Sequence, residues 1–444
     1  MGGNAMKVKA GLVALTFSVL VTACGGGQGG SSASGSTDTK KEEKPKDPYT
    51  MVIFTAGVSE KEFNDRFSET LKTKFPHVTI EYIMSGKGQT IADLVAANKI
   101  PDIIRTDVPT LQTGYMDYKI HYDMSELVKK YKYDTNRFTK VFLDEIIDAG
   151  GTGALYGLPV PPYFPQATYY NKDLFDKFGV AYPKNGMTWD ELYELAKKMT
   201  RTDGGTVYRG FSANPTNTLR DNVLSLPILD PKGTGLADSA KWSTLYQNLL
   251  RFYQIPNNTI EANPSLEDKA FNKGNVGLMT NQHNIYLVIP PEVNWDLVSY
   301  PKFKDGPDLM PQRGPAYWSI TNTSKHKDEA FEMIMAMLSD ESQLADSKRG
   351  IPTTLNNPEI AKVLGQSDPI YSKKNMNAIN YYKPANYTPK RKMGEVTVPG
   401  ATQQGLIGNT FVEVAQGKKD INTALREIDE KLKAALEEEK AKAK

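Results

Sequence analysis

Two adjacent tyrosines, Tyr169 and Tyr170, come nearest in type and spacing to metal chemistry in this chain, because paired phenolates can ligate ferric ion. They lie in a stretch that reads as a strand, where neighbours point to opposite faces, so joint ligation requires the strand to end there. The histidines at 77, 121, 283 and 326 are too scattered for a metal site. For hydrolysis the chemistry to test is a carboxylate pair of the kind glycosidases use. Asp144-Glu145 and Asp190-Glu191 are adjacent acids, but both pairs fall on predicted helices beside apolar stripes. No HExxH, no G-x-S-x-G and no Walker lysine after the Gly25–Gly30 run occurs, and no motif calls for a cofactor. Lys and Arg number 54 against 52 Asp and Glu, a balance that gives polyanions no handle and argues against a nucleic-acid partner.

The single cysteine, Cys24, has no partner for a disulfide, so its chemistry must be sought elsewhere. Lys7 and Lys9 precede a mostly apolar run from Gly11 to Val21, too short to span a bilayer and of the length of a signal-peptide core. Val21-Thr22-Ala23-Cys24 resembles a bacterial lipobox, in which the cysteine becomes the acylated first residue of the mature protein. The expectation is a leader over 1–23, a lipid on Cys24, and a flexible tether over 24–48. That tether is rich in Gly, Ser, Thr, Lys, Glu and Pro and cannot bury enough apolar surface to offset its ordering entropy. Its reach is roughly 27 Å. No later segment has transmembrane length, so the lipid is the expected sole anchor to the outer face of a bacterial cell membrane, in a Gram-positive organism.

The elements that would position a site begin with "YTMVIFT" (Tyr49 to Thr55), which reads as a buried strand. Ser59 and Glu62 form a predicted capping box, and Phe63, Phe67, Leu71 and Phe75 stripe one helix face until Pro76 stops it. "VTIEYI" (Val78 to Ile83), a helix over Ile91 to Asn98, and "PDIIRTD" (Pro101 to Asp107) complete a βαβαβ order. That order implies a largely parallel sheet with helices on both faces. Ligands on such sheets gather at the carboxyl ends of the strands, which here carry Thr55 to Ser59, Ser85 to Gln89 and Arg105 to Asp107.

The middle of the chain carries a resemblance. "GALYGLPVPPYFPQATYYNKDLFDKFGV" (Gly153 to Val180) and "GMTWDELYELAKKMT" (Gly186 to Thr200) are similar to the extracellular solute-binding proteins of sugar ABC transporters, of the maltose-binding-protein-like type. "FNKGNVGLMTNQHN" (Phe271 to Asn284), "YWSITNTSKHKDEAFEMIMAMLSDESQ" (Tyr317 to Gln343) and "VAQGKKDINTALREIDEKLKAAL" (Val414 to Leu436) extend the likeness over the whole mature chain. Pro159, Pro161, Pro162 and Pro165 exclude a helix there and stiffen an extended crossing. The resemblance implies an α/β, two-lobed periplasmic-binding-protein-like (type II) fold with discontinuous lobes and a ligand cleft between them. Lobe 1 would take 49–161 and 318–356, and lobe 2 would take 162–317 and 357–444. Hinges near Pro161 to Gln166 and Arg313 to Tyr317 would let the lobes close on the ligand. It also implies a non-enzymatic, monomeric receptor that binds an extracellular oligosaccharide and delivers it to a membrane permease. The alternatives are an anchored polysaccharide-degrading enzyme and a ferric-iron transport protein.

A sugar cleft needs flat rings to stack on pyranose faces and planar polar groups to bridge hydroxyls. Family position nominates Trp318 after the second crossing, Tyr163 and Phe164 in the first, and Tyr169, although strand filling is the competing role for one of Tyr169 and Tyr170. Trp189, Trp242 and Trp295 read as structural. Polar candidates are Gly57 and Ser59 after the first strand, the Gly86 to Gln89 amides, and Asp107, with helix capping as the rival role. Asn281 and His283 stand where many relatives place a tryptophan, which favours a smaller or more polar subsite, or else a solvated loop. Arg349 is placed to clasp a sugar carboxylate or to form a surface ion pair.

Overall fold

The computed structural model describes residues 47–442, so the expected leader, Cys24 and all but the end of the tether lie outside the described residues. In chain order the strands are β1 (Tyr49–Thr55), β2 (Val78–Met84), β3 (Ile103–Thr106), β4 (Leu158–Val160), β5 (Phe164–Asn171), β6 (Arg201–Asp203), β7 (Thr206–Ala213), β8 (Val276–Gln282), β9 (Trp295–Ser299), β10 (Leu309–Met310), β11 (Gln312–Arg313), β12 (Ala316–Ile320) and β13 (Lys383–Pro384). They build two main sheets, one ordered β2-β1-β3-β12-β4 and one ordered β11-β5-β8-β7-β6 with β9 also on β5.

The first sheet opens with the expected βαβαβ unit. β1 runs parallel to β2 and β3 on its two sides, with α1 (Glu60–Lys74) and α2 (Ile91–Ala96) as the crossovers. Phe63, Phe67 and Leu71 of α1 are buried against the sheet, each worth roughly 1.5–3 kcal/mol of burial. Ser59 caps α1, its Oγ accepting from the Glu62 amide at 3.1 Å. The reciprocal arm of the predicted box is missing because the Glu62 carboxylate turns toward Arg66, 3.3 Å away. Thr188 and Glu191, spaced for a box in the same way ahead of the helix Trp189–Met199, form both arms.

Parity along β5, β8 and β9 divides the second lobe into two cores. Tyr169, Met279 and Leu297 face one side of the second sheet and Tyr170, Leu278 and Val298 the other. Both faces are covered, so alternation here does not mean one wet face. The helices Gly400–Ala415 and Ile421–Lys442 close the second core through Ile407, Phe411, Ile428 and Leu432. The expected closing helix from Val414 is thus broken in two, because Gly417 adopts φ +72° and Asp420 caps the new start at the Thr423 amide.

The chain passes from the first sheet to the second between β4 and β5 and returns between β11 and β12. These passages run side by side, since β4 pairs with β12 and β5 with β11, both antiparallel. A later passage leaves the first core after Ile360 and enters another at Leu364. No described helix is long and apolar enough to cross a membrane.

Candidate ligand-binding site

Where the two sheets hand the chain over, a cavity of about 920 Å³ opens between the lobes. Residues within the stretch 107–113 and Glu145 line it from the first lobe, residues within 220–231 and 386–404 from the second, and Gln312 to Pro315 at the crossing. Asp107 follows the carboxyl end of β3. Its Oδ1 accepts from the Thr110 amide at 3.2 Å, capping the short α3 (Val108–Leu111), and its Oδ2 accepts from Arg313 Nη2. Capping and cavity lining are therefore both its roles. Burial pushes the Asp107 carboxyl up, but Arg313 and the Thr110 donors outweigh burial and hold it below the usual carboxylate range.

The opposite wall is built on a buried carboxylate. Asp221 receives Arg220 through Nε at 2.6 Å and Nη2 at 2.7 Å, and its Oδ2 also accepts from Gln166 at 3.1 Å and Gln282 at 2.8 Å. Arg220 Nη1 then reaches Gln404 at 2.9 Å. Strands β5 and β8 are so tied to the loop after helix Pro215–Arg220 by planar polar groups, the side-chain class that bridges sugar hydroxyls. A third wall is the segment 386–399, which starts and ends on the second lobe. Ser225 Oγ donates to the Asn386 carbonyl at 2.7 Å and Val398 is fully buried in the second core. Between these anchors it crosses to the first lobe, where Lys390 meets Glu145 at 2.8 Å, Arg391 meets Asp117 at 2.7 Å, and Tyr387 donates to Asp148. Glu145 also accepts from Tyr317 at 3.1 Å, and it lies so close to Gly314 that any side chain there would displace it.

Of the residues singled out from sequence, Gly57, Ser59, Gly86, Gln89 and Asp107 do gather at the carboxyl ends of β1, β2 and β3, yet only Asp107 lines the cavity. Tyr163 is buried with its ring 5.0 Å from Phe142, and Phe164 is half-buried, its backbone paired with Arg313. Four expectations need correction. Trp318 is fully buried, edge-on to Phe63 and Phe67 of α1, because β12 is an inner strand with both faces covered. Tyr169 is equally buried and donates to the His283 carbonyl. His283 is an interior residue, and burial outweighs the Gly350 backbone beside its ring and pulls its pKa down to about 3. Asn281, also buried, is committed to Asp268 at 2.6 Å. Arg349 takes the second of its two anticipated roles, pairing with Asp346 at 2.6 Å, which Arg66 holds from the other side at 2.8 Å. Tyr169 and Tyr170 face different cores, so their hydroxyls cannot share an ion.

Arg313, the Arg220-Asp221 pair and the 386–399 segment, which line the cavity, were not among the sequence candidates for ligand contact. Arg313 was visible only as the edge of a hinge. The segment's one signal was its proline-flanked "PKRK" run, Pro389 to Lys392, in a stretch without hydrophobic period.

Two α/β lobes joined by paired crossing strands, with a polar cavity at the join, define a periplasmic-binding-protein-like fold. The chain belongs to the family of bacterial extracellular solute-binding proteins, whose model matches residues 54–344. Among solved structures it is similar to a sugar transporter from Rhizobium etli in an open conformation, at 19% identity and a TM-score of 0.69, over 87% of this chain and 99% of that one. It is also similar to an ABC substrate-binding protein from Listeria monocytogenes in complex with cycloalternan, at 17% identity and TM-score 0.65, covering 87% and 98%. The sugar-binding protein MalE from Xanthomonas citri gives 17% identity and TM-score 0.67 over 88% and 98%. No curated protein matches the sequence.

Proposed function

We propose that this protein binds an extracellular oligosaccharide between its lobes and delivers it, chemically unaltered, to the permease of an ABC transporter. The observation that carries this reading is the interlobe cavity of about 920 Å³, bordered by Asp107 and Arg313 on one side and the Arg220-Asp221 network on the other. Such a space matches a ligand of a few sugar rings. Membership of the solute-binding family and the sugars named for proteins of like fold support it. Lobe 1 is read as 49–161 with 318–356 and lobe 2 as the rest, with hinges at the two paired crossings. The body acts as a monomer at the outer face of the membrane, held by lipid on Cys24 through the tether.

Thermal-shift measurement across mono- and oligosaccharides tests the ligand class, since a ligand at 100 times its Kd adds about 2.7 kcal/mol of stability. No shift with any saccharide defeats the proposal. Release of new reducing ends or unsaturated products at catalytic rates would favour the degrading enzyme. For the anchor, Cys24→Ala should move the protein from the membrane fraction to a soluble one.

A further inference from the structure

Arg105 is the penultimate residue of β3 and stands beside Thr55 in the pairing with β1. Its side chain lies beneath the β1–α1 loop, where Nη1 donates to the Ala56 carbonyl at 3.2 Å. That is its one hydrogen bond among the described residues, and Nε is sealed from solvent with no partner. Only 5% of the residue is exposed. Other arginines with little-exposed side chains are treated differently: Arg66 meets Asp346 at 2.8 Å, Arg209 meets Glu267 at 2.6 Å, Arg220 meets Asp221 at 2.6 Å and Arg391 meets Asp117 at 2.7 Å. Among the described residues Arg105 has no carboxylate within ion-pair distance.

A buried guanidinium without an anion is costly, because it has left water and received little in exchange. Two acids act on Arg105 from beyond ion-pair distance, Glu62, which is engaged with Arg66, and Asp107, which is engaged with Arg313, while the charge of Arg66 adds to the positive potential at Arg105. Burial, and then Arg66, draw the Arg105 pKa down to about 10, so the group remains a cation at neutral pH. The N-terminus of the 15-residue α1, capped at Ser59, opens over the same loop and adds its own partial positive charge. On the loops that follow β1 and β2 there is room for a ligand, since a Cβ placed at Gly57 or Gly86 meets no atom within 4 Å.

Resting on the carbohydrate reading above, we infer that Arg105 is a specificity residue for an acidic sugar, its guanidinium receiving the carboxylate of a uronate unit at the carboxyl ends of β1 and β3. The ligand would supply the anion that the fold withholds. A planar guanidinium offers two parallel N–H donors to a carboxylate, which a neutral hydroxyl cannot match.

The test is calorimetric titration of the whole protein with trigalacturonate, maltotriose and glucose 6-phosphate. Trigalacturonate should bind at least tenfold more tightly than maltotriose, and Arg105→Gln should weaken it roughly 10- to 100-fold, the range for hydrogen bonds to charged groups. Arg105→Lys should restore part of the loss. Arg105→Met should melt no lower than the parent without ligand, since it removes an uncompensated buried charge, and should lose the melting shift given by trigalacturonate. The inference fails if maltotriose binds as well as trigalacturonate, if glucose 6-phosphate binds more tightly than the uronate, or if Arg105→Met melts far below the parent while binding unchanged. Maltotriose binding alone would leave the carbohydrate reading standing, whereas silence from all three sugars and from the wider saccharide panel would remove both.

Discussion

The Lys390 ammonium lies 2.8 Å from a Glu145 carboxylate oxygen, joining a segment anchored in the second lobe to a helix, Lys140–Gly150, of the first. Both side chains are mostly buried, so the pair is a structural tie across the cavity and its loss leaves a buried charge. Lys390→Met should cost about 3 kcal/mol in urea unfolding. Adding Glu145→Gln should recover most of that, because Tyr317 still donates to the amide oxygen. If the single variant unfolds like the parent, the segment does not hold the lobes together.

Asp107 tests cap against cavity. Asn is as good a helix cap as Asp, so Asp107→Asn should change stability by no more than about 1 kcal/mol while removing the charged partner of Arg313. Saccharide affinity should fall about tenfold in a titration. The Asp107 pKa is depressed in the fold, so its carboxylate contributes stability that is present above the unfolded value near 3.9 and is lost as pH falls through the folded value. The variant's stability should accordingly vary less with pH below about 4.

Trp318→Ala should lower stability by about 3–5 kcal/mol, as for other fully buried aromatics, and leave ligand affinity unchanged where the variant is folded. Trp318→Phe should be much milder, since the indole N–H has no partner to lose. Weakened binding at unchanged melting temperature would put the ring in the cleft after all.

His283 supplies a pH signature in the same range as, but separable from, the carboxylates. Its folded pKa of about 3 lies below the unfolded value near 6.5, so acidification protonates the unfolded chain first. Stability should fall from roughly pH 6.5 toward pH 3 by up to about 1.4 kcal/mol per pH unit. His283→Leu should flatten that slope in unfolding curves at pH 7, 5.5 and 4.5; an unaltered slope would show that the ring is hydrated in the native state.

The order of elements was legible because it rests on local physics. The stripe of Phe63, Phe67 and Leu71, the Ser59 cap, and the proline-stiffened crossing each follow from neighbours a few residues apart, and each forms where the spacing places it. The family followed from the sequence of those pieces along the chain. Asp107 was legible too, since the end of a parallel strand is where ligand groups collect.

What the sequence could not settle is which side chains meet. Alternation along β12 puts Tyr317 and Trp318 on opposite faces, and nothing local says that helices cover both. The same double cover hides Tyr169 and His283. The pairs that border the cavity lie 206 residues apart for Asp107 and Arg313 and 184 apart for Arg220 and Gln404. Residues so far apart come into contact only after the chain has crossed between the sheets, once between Asp107 and Arg313 and twice between Arg220 and Gln404. Arg105 shows the complementary limit: its charge is plain in the sequence, but that no described carboxylate pairs with it emerges only once Glu62 has been assigned to Arg66 and Asp107 to Arg313.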